Sequence, residues 1–230
     1  MRKILIGLSA GTAMLLGTVS AFADDGLGFG ISLVGGKLST SGSEIETGSQ
    51  TAETNTKSVQ SGFMIGSVFA EYTRGWFTVG IDYIPVDADV SDATHTRNEQ
   101  ETSVTGTNTE TTTARNQSAA ATVNDHTTAY IEVGGAVYAK AGYVQMTVET
   151  NESLGTGSTY GNVDVNGTVL GVGIRTPWGN RGFLKLEGTY TDYDDISIVS
   201  GVARTGVTTN NKITADMDST QARLAIGYKF

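Results

Sequence analysis

Hydrophobic and polar residues alternate with a period of two along most of this chain, which predicts β-strands rather than helices. The clearest case is the run that ends at Phe230, in which Ala222, Leu224, Ile226 and Tyr228 alternate with small or charged residues. Successive side chains of a strand point to opposite faces, so each such segment has one apolar face. Eight segments show the pattern, two of them (131–133 and 137–148) less clearly: 27–33, 64–72, 77–83, 131–133, 137–148, 170–174, 184–190 and 222–230.

The connections between these segments alternate between short and long. The short connections are 73–75, 134–136 and 177–181, and the long ones are about 40–58, 90–126, 150–162 and 197–212. Small transmembrane barrels have short periplasmic turns and long extracellular loops. The sequence therefore predicts an all-β fold, an eight-stranded antiparallel up-and-down transmembrane β-barrel.

The longest connection, about 90–126, has low complexity. From Thr94 to Gln117 it consists mostly of Thr, Asn, Glu and Gln and offers almost nothing to a core. Such a segment cannot offset its ordering entropy by burial. We expect an extracellular loop here, either mobile or forming a solvated extension of a hairpin.

The first 23 residues are typical of a secretory signal peptide. Arg2 and Lys3 precede an apolar stretch, and Ala21-Phe22-Ala23 forms an A-x-A cleavage site. Cleavage leaves a single domain, 24–230, with no boundary inside it. The protein is therefore expected to be exported, and a membrane-anchor helix is the weaker interpretation of this segment.

The polar face of the predicted strands carries charges of both signs among many glycines. In a soluble β-domain that face meets water, whereas in a membrane barrel it faces the interior and the apolar face meets lipid. An eight-stranded barrel is just wide enough for side chains to fill it. We expect these charges, Glu132 among them, to form a lumen network: Glu71, Asp82, Lys140, Arg175, Lys185, Glu187 and Arg223.

Aromatic residues lie near the ends of the strands, as in the girdles at lipid–water interfaces. One predicted belt lies near the short turns and the C-terminus: Tyr72, Trp76, Phe77, Tyr138, Trp178, Phe183, Tyr228 and Phe230. The other lies toward the long loops: Phe63, Tyr83, Tyr130, Tyr190 and Tyr193.

Four segments carry a likeness to a known family: 77–85, 140–143, 183–190 and 222–230. In these segments the chain resembles the small OmpA/OmpX-like eight-stranded outer-membrane β-barrel proteins of Gram-negative bacteria. The resemblance implies a location in the outer membrane, contact with its lipid and lipopolysaccharide, and passage through periplasmic chaperones to the outer-membrane insertion machinery. The insertion signal it implies is formed by Leu224, Ile226, Tyr228 and Phe230. We expect a monomer.

Acidic residues concentrate at the strand ends near the long loops. Three i, i+2 pairs each share a strand face, and hard cations prefer oxygen ligands. A rim that binds Ca²⁺ or Mg²⁺ is one hypothesis, and a solvated acidic rim is the other. The six residues are Asp87, Asp89, Asp192, Asp194, Asp216 and Asp218.

Composition argues against several other functions. The net charge of −9 argues against nucleic-acid binding, and the absence of Cys removes disulfides, thiolate metal sites and Cys nucleophiles. No G-x-S-x-G motif is present, and the two histidines are His95 and His126. We expect neither enzymatic activity nor a cofactor; acid–base catalysis by the lumen carboxylates, like an exported soluble barrel, is a weaker hypothesis. The predicted role is a structural or surface-interaction platform displaying acidic, Thr-rich loops, and the alternative is a narrow porin-like channel for small solutes or ions.

Overall fold

The computed structural model describes residues 25–46, 53–89, 95–105, 109–153, 159–201 and 211–230. The predicted signal peptide, 1–23, lies outside these residues, as do parts of all four long connections. No helix in the described part of the chain is long and apolar enough to span a membrane.

Every regular element in the described part of the chain is a β-strand, and most of these strands are long. A run of Val, Ile, Thr and aromatic residues at alternate positions suits a pleated surface that is apolar on one side. In chain order the strands are β1 (Gly26–Glu46), β2 (Glu53–Arg74), β3 (Phe77–Tyr83), β4 (Ala88–Asp89), β5 (His95–Thr105), β6 (Thr109–Gly134), β7 (Val137–Ser153), β8 (Val163–Trp178), β9 (Gly182–Tyr193), β10 (Ile196–Val199) and β11 (Lys212–Lys229).

The strands form one antiparallel sheet that closes on itself. The order around the ring is β1-β2-β3-β6-β7-β8-β9-β11, and β11 pairs again with β1, from Gly28 opposite Lys229 to Ile45 opposite Lys212. The remaining strands lie outside this order: β4 and β5 pair with β6, and β10 pairs with β11. The predicted fold, an up-and-down antiparallel barrel with eight strands in the ring, is confirmed.

Two of the predicted loops are largely strand. β1 and β2 remain paired as far as Glu46 opposite Glu53, and β5 forms a hairpin with the first part of β6, from His95 opposite Ala119 to Thr105 opposite Thr109. Of the two alternatives predicted for 90–126, the extension of a hairpin is therefore the one found over most of the described part of this segment. A ladder satisfies backbone groups without a core, and Thr favours strands, so low hydrophobicity alone does not imply a loop.

The short connections lie together at one end of the barrel, here called the turn end, and the opposite end is called the loop end. Gly75 and Gly179 adopt φ values of +57° and +67°, the left-handed conformation that tight turns favour. Toward the turn end the outward side chains form an apolar band. It includes Leu27, Ile31, Leu33, Val79, Ile131, Val172, Leu186 and Leu224, all of them exposed.

The aromatic residues divide between the outer face and the lumen. At the turn end, Tyr72, Trp76, Phe77, Trp178, Tyr228 and Phe230 are exposed as a girdle requires. Tyr83 and Tyr190 are exposed at the other edge of the band. The belt assignment was wrong for five residues, which point inward: Phe63, Tyr130, Tyr138, Phe183 and Tyr193.

Candidate functional site: the lumen and its lateral gap

A layer of buried charges fills the lumen in the turn-end half. All seven residues of the predicted network are buried there, together with Glu132. We call these eight residues the ionic layer. Its four carboxylates and four cations balance, and they come from seven strands: Glu71, Asp82, Glu132, Lys140, Arg175, Lys185, Glu187 and Arg223.

Two cations lie between two carboxylates on one side of this layer. Arg175 Nη2 lies 2.8 Å from Glu71 Oε1 and 2.8 Å from Glu132 Oε2. Lys185 Nζ lies 3.0 Å from Glu71 Oε2 and contacts Glu132 Oε1 as well. Each carboxylate therefore accepts hydrogen bonds from both cations, and Tyr130 donates a further bond of 3.1 Å to Glu71.

Glu187 binds the two remaining cations of the layer, Lys140 and Arg223, and also contacts Lys185. Its carboxylate lies 3.0 Å from Lys140, 3.2 Å from Lys185 and 3.0 Å from Arg223, and it accepts a 2.7 Å hydrogen bond from the Tyr138 hydroxyl. Removing one partner from such a buried set leaves an uncompensated charge, which is strongly destabilising. Each side chain of the ionic layer is therefore needed to compensate the charges of the others.

Asp82 forms the edge of the ionic layer that faces the loop end. Its carboxylate binds Arg223 and accepts a 3.0 Å hydrogen bond from Ser67, whose hydroxyl is also hydrogen-bonded to Ser32. Small residues make room for this packing: a Cβ on Gly173 would lie 2.5 Å from the Tyr138 ring. Paired side chains therefore occupy the cross-section of the lumen at this level.

Beyond the ionic layer, toward the loop end, the interior is apolar. Val144, Met146 and Val148 of β7 pack with residues of β8, β9, β10 and β11. The sequence pattern of 137–148 is ambiguous because Lys140 points inward in one half and Met146 in the other. The buried cluster comprises Val144, Met146, Val148, Val165, Tyr193, Ile196 and Met217.

The hydrogen-bonded ladder of the barrel wall opens between β2 and the segment that follows β3. β2 pairs with β1 over its whole length but with β3 only from Arg74 to Val68, opposite Tyr83. From Ser67 to Glu53 the second edge of β2 has no partner strand among the described residues. We call this opening the lateral gap.

Pro85 lies where the strand pairing stops. The amide of Ile84 still donates to His126 O at 3.0 Å, but Pro85 has no N–H, and pairing with β6 resumes only at Ala88. On β6 the register shifts between Asn124 and Thr127. The pairing of the β3 side with β6 is therefore interrupted beside a proline, while the register shift lies in the β6–β7 ladder, whose pairing resumes at Thr127.

A cavity lies against the lateral gap inside the barrel, and we call it the loop-end cavity. Its volume is about 60 Å³. Since a water-sized group needs roughly 10–15 Å³ of such space, the cavity holds about four to six such groups. Its lining is mainly apolar and includes both sides of the gap: Phe63 and Ile65 of β2, Ile84 and Val86, and Leu38 and Met146 across the lumen.

Outside the barrel, the mouth of the lateral gap is also apolar. Met64 is 76% exposed and Val86 is 53% exposed. Both residues lie at the edge of the outward apolar band, close to the level of Tyr83. A small apolar group could therefore pass between the cavity and an apolar surrounding without crossing a charged surface.

The six acids of the predicted cation rim do not meet at one place. Asp192 lies directly opposite Asp218 across β9 and β11, whereas Asp89 pairs with Thr122 on another part of the wall. Burial and the opposing Asp192 raise the pKa of Asp218. Asp87, Asp192, Asp194 and Asp216 are exposed. Among the described residues, no three acidic or histidine side chains converge on a metal-sized site.

The predicted insertion signal lies on the outer face of β11. Leu224, Tyr228 and Phe230 are exposed, and Ile226 is half-buried. The Phe230 ring packs edge-on against Phe29, with their centroids 5.8 Å apart, and against Tyr228, at 5.1 Å. These residues form a continuous apolar stripe beside the seam between β1 and β11.

Comparisons with known proteins give structural likeness without sequence relatives. No family model and no curated protein matches the sequence. The outer membrane protein OprG from Pseudomonas aeruginosa is 14% identical, with a TM-score of 0.53 over 90% of this chain and 98% of OprG. The outer membrane protease OmpT from Escherichia coli is 9% identical, with a TM-score of 0.43 over 93% of this chain and 99% of OmpT. The chain thus has the fold of an OprG-like outer-membrane β-barrel.

Proposed function

We propose that this protein is an outer-membrane β-barrel that binds an elongated apolar molecule at its loop end and exchanges it with the membrane through the lateral gap. The observation that carries the proposal is the position of the loop-end cavity. The cavity lies against the gap, immediately beyond the Asp82 edge of the ionic layer. A molecule in the cavity could therefore leave sideways through the lateral gap, whereas the ionic layer would block its passage along the lumen to the turn end.

The outer face of the barrel supports a membrane location. Large apolar side chains are exposed in a band around the turn-end half, with aromatic residues along its edges. The OprG-like fold and the rule that short turns face the periplasm favour the outer membrane, with the loop end outside. Contact with lipid and lipopolysaccharide, delivery by periplasmic chaperones to the insertion machinery through the Phe230 stripe, and a monomeric state belong to the same proposal.

The ionic layer argues against the alternative of a narrow channel through the lumen. Its side chains pair across the barrel, so an ion would have to break buried ion pairs to pass. The same pairing argues against catalysis, because each lumen carboxylate is bound by at least one buried cation. We therefore propose a non-conducting, non-enzymatic barrel.

A tryptophan introduced into the cavity lining, here called the reporter tryptophan, tests the proposed function. We expect Phe63→Trp, made in a chain whose Trp76 and Trp178 are replaced by Phe, to show saturable fluorescence quenching by 1-bromooctane in lipid vesicles. The matched control lacks the reporter tryptophan and keeps Trp178, which is exposed on the apolar band. It reports the concentration of the quencher in the membrane and should be quenched linearly. Adding Ser61→Leu, which fills the buried lining, should abolish saturation at the reporter tryptophan.

A linear response of the reporter tryptophan with the slope of the Trp178 control would contradict binding in the cavity. That result would favour the second candidate function, a surface platform. The observation behind that candidate is the hairpin of β5 and β6, which continues past the last residues that pair β6 with β3.

A further inference from the structure

Four polar side chains in the lining of the loop-end cavity are hydrogen-bonded in series: Gln221, Ser219, Tyr193 and His126. The Gln221 amide donates to Ser219 Oγ at 2.9 Å, and Ser219 is hydrogen-bonded to the Tyr193 hydroxyl. The Tyr193 hydroxyl oxygen lies 3.4 Å from His126 Nε2. The series therefore joins β11, β9 and β6 across the interior.

The direction of donation along the series determines which imidazole nitrogen carries the proton. In the arrangement in which donation continues in one direction from Gln221, Ser219 accepts from Gln221 and donates to the Tyr193 oxygen. The Tyr193 proton then goes to His126 Nε2, which acts as an acceptor. A neutral imidazole carries one N–H, so in this arrangement the proton of His126 lies on Nδ1.

His126 Nδ1 is buried and has no hydrogen-bond partner among the described residues. A buried donor without a partner is costly, and most of the cavity lining is apolar. An oxygen acceptor brought in by a bound molecule would satisfy this donor. The sequence gives no sign of this arrangement, because His126 lies at the start of an ordinary strand segment.

We propose, building on the proposed function, that the loop-end cavity selects linear apolar molecules that end in an uncharged oxygen acceptor, such as ketones, aldehydes and alcohols. His126 Nδ1 donates to the oxygen, and the alkyl chain lies in the lateral gap. The cavity of about 60 Å³ has room for the oxygen and its neighbouring carbons only, so the rest of the chain extends toward the membrane.

The experiment compares two quenchers of the reporter tryptophan, in the Phe63→Trp chain described above. 8-Bromo-2-octanone and 1-bromooctane share an eight-carbon chain and differ in the carbonyl group. Their membrane concentrations are measured with the Trp178 control. Relative to these concentrations, we expect the ketone to bind roughly two- to tenfold more tightly, the range of one net hydrogen bond.

Variants of His126 and Tyr193 distinguish a polar anchor from general affinity. His126→Phe keeps a ring but removes the donor, so the preference for the ketone over 1-bromooctane should fall to about one. Tyr193→Phe should lower the preference, because Nδ1 is then no longer held as the donor. Tyr143→Phe, on the outer face, should leave it unchanged.

Three results would overturn the inference. Equal binding of the two quenchers by the parent reporter chain would do so while leaving the proposed function intact. A ketone preference that persists in His126→Phe would assign the selectivity to another group. Saturation by neither quencher would remove both the inference and the proposed function.

Discussion

Polar and apolar residues alternate in both halves of the barrel, but the two halves differ in which kind points inward. Charged residues point inward in the turn-end half, and apolar residues point inward in the loop-end half. In the turn-end half, Arg223 of β11 points inward and Leu224 points outward. In the loop-end half of the same strand, Met217 is buried inside and Asp216 is exposed. The first half is built like a membrane barrel and the second like a soluble one with its own core. The level where the pattern inverts therefore marks the edge of the apolar surroundings, and the lateral gap opens at that level.

The strongest test of this contrast replaces one buried group in each half. Lys185→Met removes a cation from Glu71, Glu132 and Glu187, leaving buried carboxylates undercompensated. We expect the free energy of unfolding to fall by roughly 3–5 kcal/mol. The matched change in the apolar half, Met217→Leu, should cost less than about 1.5 kcal/mol because volume is conserved. Urea unfolding in detergent micelles measures both, and equal losses would show that the two interiors are energetically alike.

A pair of glycines on the β8 and β9 wall sharpens the contrast between the lumen and the outer face. A methyl group on Gly173 would collide with the Tyr138 ring, whose hydroxyl is bound to Glu187. We expect Gly173→Ala to lower stability by about 1–3 kcal/mol. A methyl group on Gly188 would meet no atom within 4 Å, so Gly188→Ala should raise stability by about 0.5–1 kcal/mol. A matching response of the two variants in urea titrations would argue against a tightly packed layer.

The smallest expected effect concerns the acidic residues on the outer face of the loop-end half. Partial burial and the facing Asp192 raise the pKa of Asp218, so the folded protein binds a proton there more tightly than the unfolded chain does. This contribution to stability is therefore present at low pH and is lost as the pH rises through the raised pKa. Asp218→Asn should slightly increase the urea midpoint at pH 7 and leave it unchanged well below about pH 4, the ordinary range of an Asp pKa. An unchanged or lower midpoint at pH 7 would contradict the repulsion between the two acids.

The sequence was sufficient to predict the ring of strands and the residues that meet in the ionic layer, because both depend on the alternation of single strands. The apolar interior at the loop end was not predicted, since the inversion makes Val144 and Met146 look like a break in the pattern. The lateral gap depends on pairing between β2 and the segment around Pro85. That proline was visible in the sequence, but which strand edge it leaves open depends on how far β2 extends beyond β3. The hydrogen-bonded series that ends at His126 depends on the relative placement of three strands, which the sequence of any one strand does not show.

The composition of the ionic layer also bears on how the cylinder assembles. Seven strands each contribute at least one charge, and β1 contributes the Ser32 hydroxyl that Arg223 binds. A strand whose register shifted by two residues would keep its apolar face outward. It would, however, leave a carboxylate or a cationic group without its partner inside the barrel. Hydrophobic sorting alone cannot detect such a slip. The charges therefore favour one strand register, because all of them are paired only when the last strand has closed against the first in that register.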